Sequence, residues 1–138
     1  TEYVMSVIDE YWGGMIDEGA TSFWETFDKS QKGNEKYAMY GRKYGKSLCH
    51  AWGASPLYLI GRYLIGLKPE NQGRTFSVCP QTGGLKLYEA SIPLCEGFLT
   101  LTVTEDYVEL YSDTLSGTLT WKGKAYYVKG GEKIKAGG

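Results

Sequence analysis

The chain is poor in the residues that build metal centres and disulfide scaffolds. It has one histidine and three cysteines, Cys49, Cys79 and Cys95, in 138 residues. None of the cysteines has CxxC or CxxH spacing, so neither a zinc site nor a full disulfide framework is expected, and no metal or cofactor is called for. The cysteines read as buried free thiols, with one bridge between two of them as the open alternative. Four prolines and 19 glycines without a period exclude a collagen-like chain, and a hydrophobic share of 42% excludes a disordered one. Apolar runs such as Leu57-Tyr58-Leu59-Ile60 are far too short to span a membrane. Neither sign of charge is in excess: the formal net charge is −1, and acidic and basic residues are spread over both halves. Without a basic patch or tail, no nucleic-acid partner is expected.

Aromatic residues are plentiful, with 12 tyrosines, 4 tryptophans and 4 phenylalanines. From Tyr3 to Ile16 the apolar residues Val4, Ile8, Tyr11, Trp12, Met15 and Ile16 recur at helical spacing. Gly19 is the C-terminal stop. Ser22-Phe23-Trp24-Glu25 has the S-x-x-E form of a capping box opening a short second helix. A third helix is predicted from about Ser47 to Leu64, kinked or restarted at Pro56.

Near residue 67 the period changes to two. Leu85/Leu87, Leu99/Leu101/Val103, Val108/Leu110 and Leu119/Trp121 alternate with polar residues, the pattern of half-buried strands. Turn sequences separate them: Gln81-Thr82-Gly83-Gly84, Cys95-Glu96-Gly97, Glu105-Asp106, Lys122-Gly123-Lys124 and Gly130-Gly131. The expected class is therefore α+β: helices over 1–66, then an all-β antiparallel sandwich over 67–138. So few helices cannot enclose a core, so their apolar faces must pack on the sandwich or on further protein.

Residues 29–46, KSQKGNEKYAMYGRKYGK, form a connection long enough to be functional or disordered. Tyr37, Tyr40 and Tyr44 within it can stack on sugar faces, or simply pin the loop down. Glycoside hydrolysis needs two carboxyl groups across the scissile bond. Glu25 lies between aromatic neighbours, where burial would raise its pKa. It reads either as a catalytic acid or base or as the capping-box glutamate. His50 reads as a donor to a substrate hydroxyl, as a residue that orients Glu25, or as a packing residue. No serine or cysteine has a nucleophile context, and no glycine run follows a strand as a phosphate loop requires.

Tyr11-Trp12-Gly13-Gly14-Met15, Gly19-Ala20-Thr21-Ser22-Phe23-Trp24-Glu25 and Ser47-Leu48-Cys49-His50-Ala51-Trp52-Gly53-Ala54 together resemble the C-terminal part of the α-L-rhamnosidases, glycoside hydrolase family 78. Ile65-Gly66-Leu67-Lys68-Pro69 is similar to the exit from that family's (α/α) six-hairpin barrel. Cys79-Pro80 through Gly83-Gly84-Leu85, with Ser91-Ile92-Pro93, resembles the opening strands of its closing β-sandwich. The resemblance covers roughly residues 3–100. It implies that residues 1–66 are the last barrel helices and that Glu25 is the general base of an inverting hydrolysis. It also implies that His50 contacts the sugar and that Trp24 and Trp52 shape the pocket. The family's general acid lies upstream, so this chain alone is expected to be inactive, with the upstream barrel as its partner and a carbohydrate as substrate. Two departures bear on sugar specificity: Thr26-Phe27-Asp28 replaces the usual basic residue and Trp-Asp, and the 29–46 connection is rich in tyrosine.

The competing expectation is a carbohydrate-binding or purely structural sandwich, with Tyr107, Tyr111, Trp121, Tyr126 and Tyr127 as candidate platform residues. The start at Thr1, inside a helical pattern and without an initiator Met, is what an excised piece would show. On that expectation, any signal for periplasmic export or secretion would lie upstream, and the compartment is not written in these residues.

Overall fold

The computed structural model describes residues 1–137. The helical spacing near the N-terminus produces a helix over 2–17, in the consecutive segments Glu2–Ile8, Asp9–Gly13 and Gly14–Asp17, the middle one widened to π geometry. Gly19 ends it at φ +87°. Its N–H donates to Ile16 O at 2.9 Å and the Ala20 N–H donates to Met15 O at 2.9 Å, the paired bonds of a Schellman cap. The Cβ of Gly19→Ala would meet nothing within 4 Å, so backbone conformation alone opposes it. This substitution should cost about 1 kcal/mol, read as a lower denaturation midpoint.

Two helical expectations fail. No helix opens at Ser22: residues 21–28 are non-helical, and the Ser22 hydroxyl donates to Leu48 O across the chain. The helix expected from Ser47 begins later, with a 3₁₀ turn at Ala51–Ala54 and α-helix over Ser55–Leu59. Both failures have one cause. Residues 23–25 and 47–50 bond to each other through their backbones, Glu25 N–H to Ser47 O and His50 N–H to Phe23 O, and this pairing overrides the local capping signal. Pro56 sits in the first turn of its helix, where its missing N–H costs nothing.

The contacts divide the chain into one compact unit over Glu2–Leu59 and another from Ile60 onward, with Thr1 grouped in the second. In that second unit, after a π-helical turn at Ile60–Leu64, eight strands form two four-stranded sheets. One sheet has β1 (Leu67–Glu70), β2 (Thr75–Val78), β6 (Gly117–Trp121) and β7 (Lys124–Val128) in that order. The other has β3 (Leu87–Pro93), β4 (Phe98–Thr104), β5 (Tyr107–Ser112) and β8 (Lys133–Gly137). Period-two alternation turns Phe76, Val78, Leu119, Trp121 and Val128 of the first sheet into one core with Leu99, Leu101, Val103, Val108, Leu110 and Ala136 of the second. The fold class is thus α+β with a β-sandwich. Pairing is antiparallel except between β2 and β6, which run parallel because the chain crosses through β3, β4 and β5 in the other sheet between them. Gly117 faces Phe76 in that pair, and a Cβ there would lie 2.3 Å from Phe76 O, so the close approach needs glycine.

In β3 the alternation has the opposite phase to that expected. Leu85 lies in the preceding turn and Leu87 is exposed, while Tyr88, Ala90 and Ile92 pack on the core. The three cysteines are free and exposed, contrary to the expected burial. Among the described residues, no helix is long and apolar enough to cross a membrane.

Candidate functional site

The pairing that displaces the capping box brings together two motifs distant in sequence. The Glu25 N–H donates to Ser47 O at 2.9 Å, and the His50 N–H donates to Phe23 O at 2.7 Å. Alternation along residues 23–25 buries Trp24, at 3% exposure, and leaves Glu25 half-buried. Trp24 packs edge-on against Tyr37, with ring centroids 5.9 Å apart, and tilted against Phe27 at 6.5 Å. It therefore fixes the backbone that carries Glu25 and presents almost no surface to solvent. Gly53 lies under this segment, where a Cβ would stand 2.6 Å from Trp24 O. The Trp12 indole N–H donates to Gly53 O at 2.7 Å, tying the N-terminal helix to the 51–54 turn.

The Glu25 carboxylate is held at both oxygens. The Ser47 N–H donates to Oε2 at 3.1 Å, and the Tyr40 hydroxyl donates to Oε1. Tyr40 reaches it from a tight two-residue turn. Met39 and Arg42 exchange backbone bonds of 3.0 and 2.9 Å, and Tyr40 and Gly41 both have positive φ, +52° and +71°. Positive φ at both central positions is the type I′ requirement, which glycine meets freely and tyrosine meets at a cost on the order of 1 kcal/mol.

These contacts set the charge state. The Tyr40 hydroxyl first, then the Ser47 N–H, hold the Glu25 carboxyl below the usual glutamate range, and the charges of His50 and Lys46 act in the same direction. Burial opposes them and loses, so the upward shift expected from aromatic neighbours is reversed. A depressed carboxyl pKa adds stability above the unfolded value, and that contribution is lost as pH falls through the folded value. Lys46 is buried, its Nζ donating to Gln31 Oε1 at 3.2 Å and its backbone N–H to Tyr37 O at 3.0 Å. Burial lowers its pKa against the pull of Asp28 and Glu25. The His50 ring stands at 86° to Trp52, with centroids 5.6 Å apart, and Trp52 is 90% exposed.

Glu25, Ser47 and Tyr40 thus converge directly, with His50 placed beside them by the same backbone pairing. A cavity of about 290 Å³ in this unit is lined by Trp12, Met15, Ile16, Ala20, Thr21, Ser22 and Phe23, and none of the four sequence-predicted site residues lines it. Tyr40 was not singled out by the sequence beyond its place in a tyrosine-rich loop. The available signal was the Tyr40-Gly41 dipeptide after Met39, weak because tyrosine is not a usual I′ residue.

The sandwich aromatics do not form a flat exposed row. Trp121 is buried, Tyr107 lies under Lys135 Nζ at 3.8 Å, and Tyr111 packs on Phe98 with centroids 6.1 Å apart. Tyr127 is largely exposed. Among the described residues, no three His, Cys, Asp or Glu side chains gather as a cation site would need.

No protein-family model matches the chain, and no curated protein matches it. Among solved structures, the chain is similar to one titled "Putative kojibiose phosphorylase from human microbiome". The likeness has a TM-score of 0.45 and 18% identity, covering 62% of this chain. The chain spans 11% of the length of that protein.

Proposed function

We propose that this chain is the C-terminal part of a glycoside hydrolase resembling the inverting α-L-rhamnosidases, acting on terminal α-L-rhamnosyl or related residues, with Glu25 as its general base. The observation that carries this reading is the grip on Glu25. A glutamate that merely capped a helix would bond back to Ser22, whereas this one bonds Tyr40 and Ser47, which fix its orientation and hold it ionised at some cost in basicity. The Glu25 carboxylate takes a proton from water, whose oxygen attacks the anomeric carbon as the glycosidic C–O bond breaks. The leaving oxygen takes its proton from an acid on residues outside this chain, roughly 6.5–9.5 Å from Glu25 as inversion demands. His50 bonds a sugar hydroxyl, Trp52 offers an exposed apolar face to the ring, and Trp24 shapes the pocket from beneath.

Surface exposure supports the proposal that further protein covers residues 2–59. Tyr3, Ile16, Leu57 and Tyr58 are each about two-thirds exposed or more, while Met15 and Trp24 are the large apolar side chains buried there. Apolar surface of this extent in a small unit marks a packing interface. The role proposed for the sandwich is structural and needs no ligand.

The test is turnover of an aryl α-L-rhamnoside. The 138-residue chain alone should release no aglycone above background, and the longer polypeptide that carries it with its barrel should hydrolyse the substrate. Turnover by the chain alone would contradict the missing-acid reading, and an inactive longer polypeptide would contradict the rhamnosidase reading.

A further inference from the structure

We propose that Tyr40 is a positioning residue for Glu25, its phenolic hydroxyl fixing the carboxylate that the Tyr40-Gly41 turn brings it to. This rests on the reading of Glu25 as the base and adds to it a residue that no motif supplies. The turn itself does not call for tyrosine. Met39 and Arg42 close it through the backbone, and asparagine or glycine would sit at φ +52° with less strain. Burial does not explain Tyr40 either, because it is 71% exposed. What remains is the contact its hydroxyl makes, a donated bond to Glu25 Oε1.

With Tyr40 on Oε1 and the Ser47 N–H on Oε2, neither carboxylate oxygen is free to swing, and each keeps a lone pair for an incoming water. The carboxylate is therefore aimed before substrate arrives, which is the form of preorganisation a general base needs. The bond also raises the pKa of the tyrosine, so the hydroxyl stays a donor.

The experiment is an NMR titration of the side-chain carboxyl carbons in the 138-residue chain, comparing wild type with Tyr40→Phe and Tyr40→Asn. Tyr40→Phe removes the hydroxyl and keeps the ring; Tyr40→Asn removes both while favouring the turn. Glu25 should titrate at higher pH in both variants. Glu18, held low by Lys36, should not move, and the amides of residues 23–25 and 47–50 should keep their protection. An unmoved Glu25 midpoint in both variants overturns the proposal. So does a shift confined to a variant that has lost the 23–25 to 47–50 pairing, since the effect would then be structural. No substrate enters this titration, so it can succeed while the aryl α-L-rhamnoside turnover test fails, or fail while that test succeeds.

Discussion

Glu25→Gln in the longer polypeptide should cut hydrolysis of an aryl α-L-rhamnoside by about 10²–10⁴-fold, the range that positioned acid–base catalysis supplies. The amide keeps the size and shape of the carboxylate and can still meet the Ser47 N–H through its oxygen. What it loses is the ability to take a proton from water. Folding should survive, because the backbone pairing of residues 23–25 with 47–50 does not involve this side chain, apart from the Ser47 N–H that the amide oxygen can still accept. The measurement is kcat and KM together: kcat should collapse while KM stays within a few fold, since the sugar contacts assigned to His50 and Trp52 remain. A loss of only a few fold would reduce Glu25 to a structural tie between two loop segments.

The second large effect is on stability. Phe76→Ala should destabilise the sandwich by about 3–5 kcal/mol, the usual cost of deleting a buried phenylalanine. Phe76 is 1% exposed, in the core formed by Val78, Leu119, Leu99 and Leu110, and it lies beside Gly117 where two strands run parallel. Because glycine leaves no side chain there to fill the space, collapse around the cavity would be poor. A loss of that size approaches the whole stability of a small domain, so the unit from Ile60 onward should melt well below its wild-type midpoint in thermal or urea denaturation. Tyr127→Ala on the same sheet, where the side chain is 70% exposed, should stay within about 0.5 kcal/mol of wild type.

The sandwich was legible because its information is local. Leu99, Leu101 and Val103 alternate over one strand, and nothing distant could reverse them. The phase of β3 was not legible, since Leu85 and Leu87 look like core residues until the turn after Thr82 sets which side chains face inward. The helical half misled for a related reason. Ser22 through Glu25 satisfy a local rule for a helix start, but the competing partner is Ser47 to His50, more than twenty residues away, and spacing cannot reveal that exchange of backbone bonds. The same exchange is what sets Glu25 beside the second motif. Tyr40 stayed hidden because its role depends on a left-handed backbone that its residue type does not advertise.

The most direct test of Glu25 as the base of an inverting hydrolysis is the anomeric configuration of the first sugar released, followed by proton NMR before mutarotation. The longer wild-type polypeptide should release the β-anomer from an α-L-rhamnoside, and Glu25→Gln should release almost none in the same time. Release of the α-anomer first, or undiminished β-anomer from Glu25→Gln, would contradict it.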